Sequence, residues 1–309
     1  MKQFTLSVVI PVYNEEGSIE PLLKRLLAVV KAYKYEIVFV NDGSKDHTVE
    51  KIKEHTAHNA NIKLLSFNRN FGHQLALVAG YTVASGDCVV SIDADLQDPP
   101  EIIADMVEKW LKGAKIVYAK RKKRDVDSAF KKITARLFYR FIGALSETEV
   151  PDNVGDFRLL DKEVVDLLKT LPEHSPFLRG LVAWTGYPSD YVYFDREERT
   201  SGTTHYSFTK MLDFALDGIT SFSARPLRIA SYIGFITAFL GFIGIVYAIV
   251  GRFLLPIPWV TGWSALFVGI MFFGGVQLIT IGIIGEYIGK IYIESLNRPH
   301  YLIKEKVNL

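Results

Sequence analysis

The chain has 309 residues, a formal net charge of +2, 49% hydrophobic residues and a single cysteine, Cys88. One cysteine excludes an intrachain disulfide and favours a reducing, cytosolic setting. That length accommodates one domain of ordinary size and a smaller second unit, and the short apolar run after Met1 does not predict a signal peptide.

Residues 1–120 alternate between apolar strand patterns and amphipathic helix patterns. The predicted strands read "LSVVIPVY", "YEIVFVND", "IKLLSFN", "DCVVSIDAD" and "KIVYAKR". The predicted helices read "SIEPLLKRLLAVVKAY", "DHTVEKIKEHTA", "HQLALVAGYTVAS" and "PEIIADMVEKWLK". Near-continuous apolar strands separated by helices predict an α/β fold with a doubly wound, mostly parallel sheet that is covered on both faces.

Polar clusters follow four of these strands, where such sheets bind ligands. They read "YNEE", "NDGSKD", "NRNFGH" and "DADLQ". No G-x-G-x-x-G follows the first strand and no G-x-x-x-x-G-K is present, which disfavours a dehydrogenase and an ATPase. The remaining class of ligand is a nucleoside diphosphate that is held through a metal.

Three carboxylates follow the fourth strand in "VVSIDADLQDPP". Asp98 precedes two prolines and Glu101, which predicts a helix N-cap with a capping-box glutamate. Asp93 and Asp95 repel each other unless a positive charge lies between them, and a divalent cation carrying a phosphorylated ligand supplies one. The alternative is that both aspartates only form the turn.

A basic segment follows the fifth strand, where residues 120–140 hold nine Lys or Arg against two Asp. Such a run is often a solvated face or a nucleic-acid patch. Here two membrane-length segments follow in the same chain, so attraction to anionic lipid and capture of a lipid phosphate explain it better. No nucleic-acid partner is predicted.

Two apolar segments, Leu227–Val250 and Trp263–Ile288, are each long enough to cross a bilayer as a helix. Lys and Arg flank the pair on its outer sides, which predicts that both termini lie in the cytoplasm and that the short connection lies outside. Upstream, residues 205–226 carry apolar side chains at helical spacing, typical of a helix in the membrane interface. Packing against the soluble domain is the alternative for that helix.

Together, "PVYNEE", "NDGSKD" and "DADLQDPP" resemble the inverting glycosyltransferases of family 2, which have the GT-A fold. The later segments "VGDFRLL", "SFSARPLR" and "GEYIGKIYIESLNRPHY" narrow the resemblance to the membrane-anchored polyprenyl-phosphate glycosyltransferases. The match is nearest to the bactoprenol glucosyltransferase branch, with the aminoarabinose-transferring and dolichol-phosphate mannose synthase branches as cousins. It covers essentially the whole chain.

The resemblance implies four regions: a GT-A domain over 1–204, an amphipathic juxtamembrane region over 205–226, a two-helix transmembrane domain over 227–289 and a cytoplasmic tail over 290–309. It implies a multi-pass protein of the cytoplasmic membrane. It also allows a homo-oligomer, with a tetramer as one form, and a functional link to a flippase. Small-residue runs such as "FFGG" and "GIIG" suit helix packing between subunits.

The resemblance also assigns residues to the donor and to a Mg²⁺ or Mn²⁺ ion, which acts as a Lewis acid on the leaving diphosphate. Asp95 is the principal metal ligand and a catalytic residue, and Asp93 lies near the metal or the ribose. The other implied donor contacts are Pro11, Tyr13, Glu15, Asp42, Arg69, Gln97, Arg199 and His205. Asp42 has an alternative role in an Asx turn of "NDGS". The family more often has Asp at the position of Asn41 and Lys at that of His205.

For the acceptor, Asp156 in "GDFRLL" matches the position of the family's catalytic base or acceptor-orienting group, and its alternative is a helix cap. In the basic segment, Arg121 and Arg124, and Arg136 and Arg140 at helical i, i+4 spacing, are the candidates to face the acceptor phosphate, and Arg158 is a further candidate. Arg158 is alternatively an ion-pair partner of Asp156. A phosphomonoester has a second pKa of about 6 and is largely dianionic near neutral pH, so we expect the role of Asp156 to be mainly positional.

The predicted function is transfer of a sugar from a nucleotide donor to a polyprenyl phosphate on the cytoplasmic leaflet. UDP-glucose and undecaprenyl phosphate are the pair that the resemblance favours. GDP-mannose, UDP-GlcNAc or a UDP-aminoarabinose derivative is the alternative donor. A processive polysaccharide synthase is disfavoured because no Q-x-x-R-W motif is present. A non-catalytic membrane scaffold is disfavoured by the intact Asp93 and Asp95.

Overall fold

The computed structural model describes residues 4–122, 151, 154–174, 176–195, 225–253 and 262–309. The described strands are β1 (Thr5–Val12), β2 (Lys34–Asn41), β3 (Ile62–Phe67), β4 (Cys88–Ser91), β5 (Ile116–Arg121), β6 (Val154–Asp161), β7 (Ser189–Phe194) and β8 (Ile303–Val307). The described helices are α1 (Ile19–Val30), α2 (Thr48–His58), α3 (His73–Val83), α4 (Ile103–Leu111), α5 (Lys162–Thr170), α6 (Leu178–Trp184), α7 (Arg225–Phe253) and α8 (Trp263–Ser295).

The strands of the described residues form one mixed sheet in the order β7-β5-β6-β4-β1-β2-β3-β8. Strands β4, β1, β2 and β3 run parallel to one another, as the alternating pattern predicts. Strand β6 is antiparallel to both β4 and β5, and β8 is antiparallel to β3. The carboxyl ends of the central strands therefore share one edge, and β6 begins at that same edge.

Helices cover both faces of this sheet because its central strands are apolar on both sides. Leu6, Val8 and Ile10 of β1 join a buried cluster that includes residues of α1, α2 and α4. On the opposite face, Gly80 of α3 lies so close to the sheet that a Cβ there would meet Val9 Cγ1 at 2.2 Å. Helix α3 begins at His73, shortly after the carboxyl end of β3 at Phe67.

Helices α7 and α8 are apolar around their whole circumference. The segments Leu227–Gly244 and Val268–Ser295 are long and apolar enough to cross a membrane by length and composition. Large apolar side chains on them face solvent, as with Phe235 at 78% exposure and Leu278 at 71%. The described residues fall in two compact units, one with all the strands and one with these two helices.

The start of the fourth predicted helix differs from the prediction. A 3-10 turn spans Pro100–Ile102, its N-cap residue is Pro99 and no side chain caps it. Asp98 is instead buried, with an oxygen 3.6 Å from Arg121, and Glu101 pairs with Arg25 at 2.7 Å. The predicted N-cap and capping box are wrong because both carboxylates have arginine partners from other elements.

Candidate active site

The loops after β1 and β2 are bonded to each other at the carboxyl edge of the sheet. The Asn14 amide donates to Ser44 Oγ at 3.0 Å, and the Lys45 amide donates to Asn14 Oδ1 at 2.8 Å. Asn14 adopts a positive φ of 55°, which asparagine tolerates better than most residues. These bonds fix the loop that presents Tyr13, whose side chain is exposed.

Asn41, and not Asp42, forms the Asx turn that was the alternative role for Asp42. The Ser44 amide donates to Asn41 Oδ1 at 3.0 Å, and Asn41 Nδ2 donates to Ser66 Oγ at 2.7 Å. The Asx-turn alternative for Asp42 is therefore wrong.

Asp42 instead holds the loop that follows β3. Its buried carboxylate accepts hydrogen bonds from the amides of Phe71 at 2.6 Å and Gly72 at 3.0 Å. Burial raises the pKa of Asp42, against the lowering effect of these two bonds. In the same loop, the guanidinium carbon of Arg69 lies 4.0 Å from the ring centroid of Phe71.

Gly43 allows the loops after β2 and β3 to touch. Its φ is +74°, and a Cβ there would lie 2.5 Å from the carbonyl carbon of Arg69 and 2.7 Å from the amide nitrogen of Asn70. Next to this contact is a cleft of about 650 Å³. Its lining includes Tyr13, Gly43, Ser44, Arg69 and Lys304.

Asp93 and Asp95 follow β4 along the same edge. The Gln97 amide donates to Asp95 Oδ1 at 3.1 Å, and Leu96 has a φ of 61°, an uncommon conformation for a bulky residue. This turn keeps both carboxylates partly exposed, with the Asp93 side chain at 36%. The pKa of Asp93 is raised, mainly because protein partly encloses the carboxylate. The charges of Asp156 and Asp95 also raise it, against the lowering effect of His73.

Asp156 lies opposite Asp93 because β6 runs antiparallel to β4. Ser91 pairs with Arg158, so two residues further the register brings positions 93 and 156 together. The Asp156 side chain is only 4% exposed, and Arg158 donates to its Oδ1. Arg179 Nη2 donates to its Oδ2 at 2.9 Å and Gln74 Nε2 at 3.3 Å. We call His73, Gln74, Asp156, Arg158 and Arg179 the Asp156 cluster.

The charges of this cluster decide the protonation state of Asp156. Burial alone would raise the pKa of Asp156, but a hydrogen bond with His73 and the charges of Arg158 and Arg179 outweigh it and hold that pKa far below its usual range. The carboxylate is therefore ionised at any physiological pH and is a weak proton acceptor.

His73 connects Asp156 with the exposed carboxylates. Its Nε2 lies 3.4 Å from Asp156 Oδ2 and 3.6 Å from Asp93 Oδ1. Burial opposes the charged imidazolium, but the hydrogen bond to Asp156 and the charge of Asp93 outweigh it and raise the pKa of His73. Helix α3 begins at His73, directly after the loop that Asp42 holds. One short segment therefore connects Asp42, a predicted donor contact, with Asp156, the residue predicted for the acceptor.

Arg158 is fully buried, at 0% exposure. Its guanidinium donates to Asp156 and, through Nη1, to the Leu178 carbonyl at 3.2 Å. This geometry favours its ion-pair role over direct contact with an acceptor phosphate. Asp156 itself is in the middle of a strand, so the helix-cap alternative is wrong, and Asp161 is the residue that caps α5 by accepting from the Glu163 amide.

The other predicted site residues are distributed unevenly. Pro11 is buried in β1, and the Glu15 carboxylate accepts from Ser18 Oγ at 2.9 Å. Arg121, at the end of β5, faces Asp98, and Gln97 lies in the turn after Asp95. The predicted residues outside the described part of the chain are Arg124, Arg136, Arg140, Arg199 and His205, with the interfacial helix at 205–226.

Three members of the Asp156 cluster, His73, Gln74 and Arg179, were not among the site residues predicted from the sequence. Gln74 stands beside His73 in "NRNFGHQ", and that position at the start of a helix after a polar loop was the available signal. Gln74 also accepts a hydrogen bond from the Leu178 amide at 3.1 Å. Arg179 lies in α6, an apolar helix without a motif, and only the three-dimensional structure brings it to Asp156.

The donor set fits a divalent metal that is shared with a ligand. No group of three or more His, Cys, Asp or Glu side chains among the described residues is arranged to hold a metal alone. Mg²⁺ commonly takes one or two protein carboxylates and completes its shell with phosphate oxygens and water. The partly exposed carboxylates of Asp93 and Asp95 meet that requirement.

Comparison with known families gives two matches. Residues 7–168 match the model of glycosyl transferase family 2, and residues 225–291 match the model described as the GtrB C-terminal hairpin. The first match spans all the loops of the candidate site up to Asp156, and the second includes most of both apolar helices.

Individual relatives span nearly the whole chain. A bactoprenol glucosyl transferase of Shigella phage SfV is 46% identical over 303 residues, which covers 97% of this chain and 98% of that protein. The uncharacterized glycosyltransferase YkcC of Bacillus subtilis is 45% identical over 305 residues, covering 98% and 94%. Among solved structures, the mannosyltransferase PcManGT of Pyrobaculum calidifontis, in complex with GDP-Man and Mn²⁺, has a TM-score of 0.50 at 16% identity, covering 96% and 88%. That likeness concerns the fold alone.

Proposed function

This chain belongs to glycosyl transferase family 2, and from that premise we propose that it transfers a sugar from a nucleotide donor to a polyprenyl phosphate at a membrane. The preferred pair is UDP-glucose and undecaprenyl phosphate. The observation that carries the proposal is the meeting of two kinds of carboxylate at one sheet edge. Asp93 and Asp95 are partly exposed, whereas Asp156 is buried and enclosed by Arg158 and Arg179.

The donor binds along the edge formed by the loops after β1, β2 and β3. Its nucleoside occupies the cleft lined by Tyr13 and Arg69, where a base finds an exposed aromatic ring and a guanidinium. Asp42 keeps that cleft in shape through the amides of Phe71 and Gly72. The diphosphate then points along the edge toward Asp93 and Asp95.

Asp95 and Asp93 would hold Mg²⁺ or Mn²⁺. When bound, the ion neutralises charge that develops on the leaving diphosphate. The neighbouring residues prepare this place: Gln97 orients Asp95 through its amide, and His73 lies between Asp93 and Asp156.

The acceptor enters from the side of Arg179. This guanidinium is about one third exposed, at 34%, while its inner face donates to Asp156. An incoming phosphate therefore meets a cation that Asp156 already orients. The basic segment at 120–140 adds attraction for anionic lipid near the membrane.

Asp156 acts as a positioning group in this proposal. Because its pKa is far below the usual range, it is a poor base, and a largely dianionic phosphate needs none. The phosphate oxygen attacks carbon 1 of the sugar from the face opposite the nucleotide. The bond between that carbon and the diphosphate breaks, the nucleoside diphosphate leaves with the electron pair, and the configuration inverts.

The membrane places the acceptor within reach. We propose that α7 and α8 span the bilayer, with the catalytic domain and both termini in the cytoplasm, on the same side of the membrane as the charge of the polyprenyl phosphate. A homo-oligomer and a functional link to a flippase are further parts of the same proposal.

The test is transfer of radiolabelled sugar from a panel of UDP- and GDP-sugars to undecaprenyl phosphate by purified protein in detergent, with Mn²⁺ or with EDTA. We expect metal-dependent label in the lipid phase from one donor. Asp95→Ala abolishes it, whereas Asp105→Ala, which removes an exposed carboxylate on α4, does not. Measurable UDP binding with no lipid product from any donor would contradict the lipid acceptor.

A further inference from the structure

The chain returns to the catalytic sheet after its second apolar helix. Helix α8 ends at Ser295, and residues 298–308, which we call the C-terminal strap, belong to the same compact unit as the sheet. Strand β8 of the strap pairs with β3. Just before β8, the Asn68 amide donates to the Leu302 carbonyl at 3.1 Å, at the first residue of the loop that Asp42 holds.

The strap is fastened at both of its ends. At its start, His174 Nε2 lies 2.7 Å from the Arg298 carbonyl. At its end, Asn308 Nδ2 donates to the carbonyls of Thr56 at 3.0 Å and Ile62 at 2.9 Å. The first fastening joins the His174 side chain to a carbonyl of the strap, and the second joins a strap side chain to two carbonyls outside it. The strap therefore has a defined position on the sheet.

Between these ends, Tyr301 begins a stack of aromatic rings. Its ring lies over Phe67 with centroids 4.8 Å apart and an interplanar angle of 20°. Phe67, which is buried, meets Phe71 edge-on at 5.6 Å. The guanidinium of Arg69 covers the ring of Phe71 at 4.0 Å, so the stack connects the strap with a predicted donor contact.

The stack ends at Phe71, whose amide belongs to the loop that Asp42 holds. That amide and its neighbour at Gly72 donate to Asp42, and α3 begins one residue later with His73. A displacement of the Phe71 ring therefore shifts the Asp42 contacts and the first turn of α3 together. Aromatic pairs in this geometry contribute beyond the apolar area that they bury.

We propose that Tyr301 is a positioning residue for the nucleotide-sugar donor, acting through Phe67 and Phe71 on the loop between β3 and α3. The proposal rests on the proposed function for the identity of the ligand. It makes the segment that follows the membrane-length helices a working part of the donor site.

The alternative is that the strap only covers the lateral edge of the sheet, where β3 would otherwise be the outermost strand. An uncovered edge strand is open to pairing with other chains, and β8 closes that edge through its backbone. Tyr301 precedes the paired residues Ile303–Val307 and is not needed for this cover. Its contact with Phe67 is therefore the feature that separates the two roles.

The experiment compares Tyr301→Ala with three matched variants in the full-length protein. Tyr301→Phe keeps the ring, and Leu302→Ala removes an exposed side chain next to it. Asn308→Ala removes the distal fastening and leaves the ring stack intact. The measurements are thermal stability, Kd for UDP and GDP by calorimetry, donor KM and kcat, and hydrogen exchange over residues 68–74 by mass spectrometry.

For Tyr301→Ala we expect faster exchange at the amides of Phe71 and Gly72 and about threefold to tenfold weaker nucleotide binding, carried by donor KM rather than kcat. In Tyr301→Phe and in Leu302→Ala, the exchange rates and the nucleotide affinity stay at the wild-type values. Asn308→Ala lowers thermal stability without changing nucleotide affinity.

Unchanged exchange in Tyr301→Ala overturns the proposal. So does a loss of nucleotide affinity in Asn308→Ala that matches its loss of stability, because the strap would then act only through the fold. If the wild-type protein binds neither nucleotide while Tyr301→Ala still accelerates exchange, Tyr301 positions the loop between β3 and α3, and the proposed class of donor is wrong.

Discussion

The same sheet carries a buried carboxylate at each of its two edges. At the amino edge, Glu36 accepts from Ser7 Oγ at 2.5 Å, from Lys63 Nζ at 2.7 Å and from the Ser85 amide at 2.6 Å. At the carboxyl edge, Asp156 is enclosed by the Asp156 cluster. Burial would raise the pKa of both carboxyl groups, and their partners outweigh it and lower it in each case.

The two sites differ in their partners and in access to solvent. Glu36 has one cation, two hydroxyls and an amide, and this set balances it. Asp156 has two arginines and a histidine, and the partly exposed Asp93 and Asp95 stand beside it. A buried carboxylate with a low pKa therefore does not by itself indicate function. Several cations around one buried carboxylate, beside two further carboxylates that are partly exposed, distinguish the carboxyl edge.

Among the variants that test this comparison, Asp156→Asn is expected to have the largest effect on activity. The neutral amide no longer balances Arg158 and Arg179, and we expect sugar transfer to fall about a hundredfold through misplacement of the acceptor. Leaving the Arg158 charge buried without its partner also costs roughly 3–5 kcal/mol of unfolding free energy. The measurements are initial rates across pH and chemical denaturation.

The pH profile of that variant distinguishes positioning from proton transfer. If Asp156 only positions, raising the pH does not restore Asp156→Asn. Recovery of the rate at high pH, with donor and lipid binding intact, would indicate that Asp156 is a base. Glu36→Gln is the matched control, and its transfer rate stays within about twofold of wild type although it loses stability.

Arg179→Ala tests whether the second arginine contacts the acceptor. Arg158 still pairs with Asp156 in this variant, so we expect a small loss of stability. Transfer falls about tenfold, and the effect appears in KM for polyprenyl phosphate, since one charge-assisted contact is lost. Arg25→Ala removes an arginine that forms a similar pair with Glu101 on the outer surface. Equal rates for the two variants would remove Arg179 from the acceptor site.

Gly43→Ala tests the contact between the loops after β2 and β3. Alanine at φ +74° is strained, and its Cβ would lie within 3 Å of the Arg69 and Asn70 backbone. We expect donor KM to rise about fivefold and stability to fall by roughly 1–3 kcal/mol. Gly113→Ala has similar strain at φ +108° with no atom within 4 Å. A rise in donor KM in both variants would mean that strain alone, and not the loop contact, affects the donor.

The central fold was predictable because its pattern is local. Each of β1, β2 and β3 is a run of apolar residues between helical patterns, and the structure confirms these strands within one residue at either end. Strand β6 was not predicted, because "VGDFRLL" includes Asp156 and Arg158, which look polar until their pairing in the sheet is known. Strand β8 reads "IKEKV", a charged edge strand whose partner is far away in the chain.

The candidate site was predictable only in part, for a similar reason. Asp42, Asp93 and Asp95 follow strands and belong to short motifs, so their type and order carry the signal. Arg179 carries none, because its role depends on how α6 packs against β6. The stack from Tyr301 to Phe71 likewise joins segments from opposite ends of the chain. Contacts of this kind follow from the topology of the sheet and not from any spacing in the sequence.

The smallest effect concerns the amino edge and acid stability. Since the folded pKa of Glu36 is below its ordinary value of 4.5, Glu36 stabilises the fold above that pH, and the contribution is lost as the pH falls through the folded pKa. Glu36→Gln should therefore be less stable than wild type at pH 7, with a gap that narrows below about pH 4.5. Thermal denaturation from pH 7 to 3 measures it. Glu108→Gln, at an exposed pair with Lys112, should show no resolvable gap, and a constant gap for Glu36→Gln would mean that lost packing, not the lost charge, destabilises the variant.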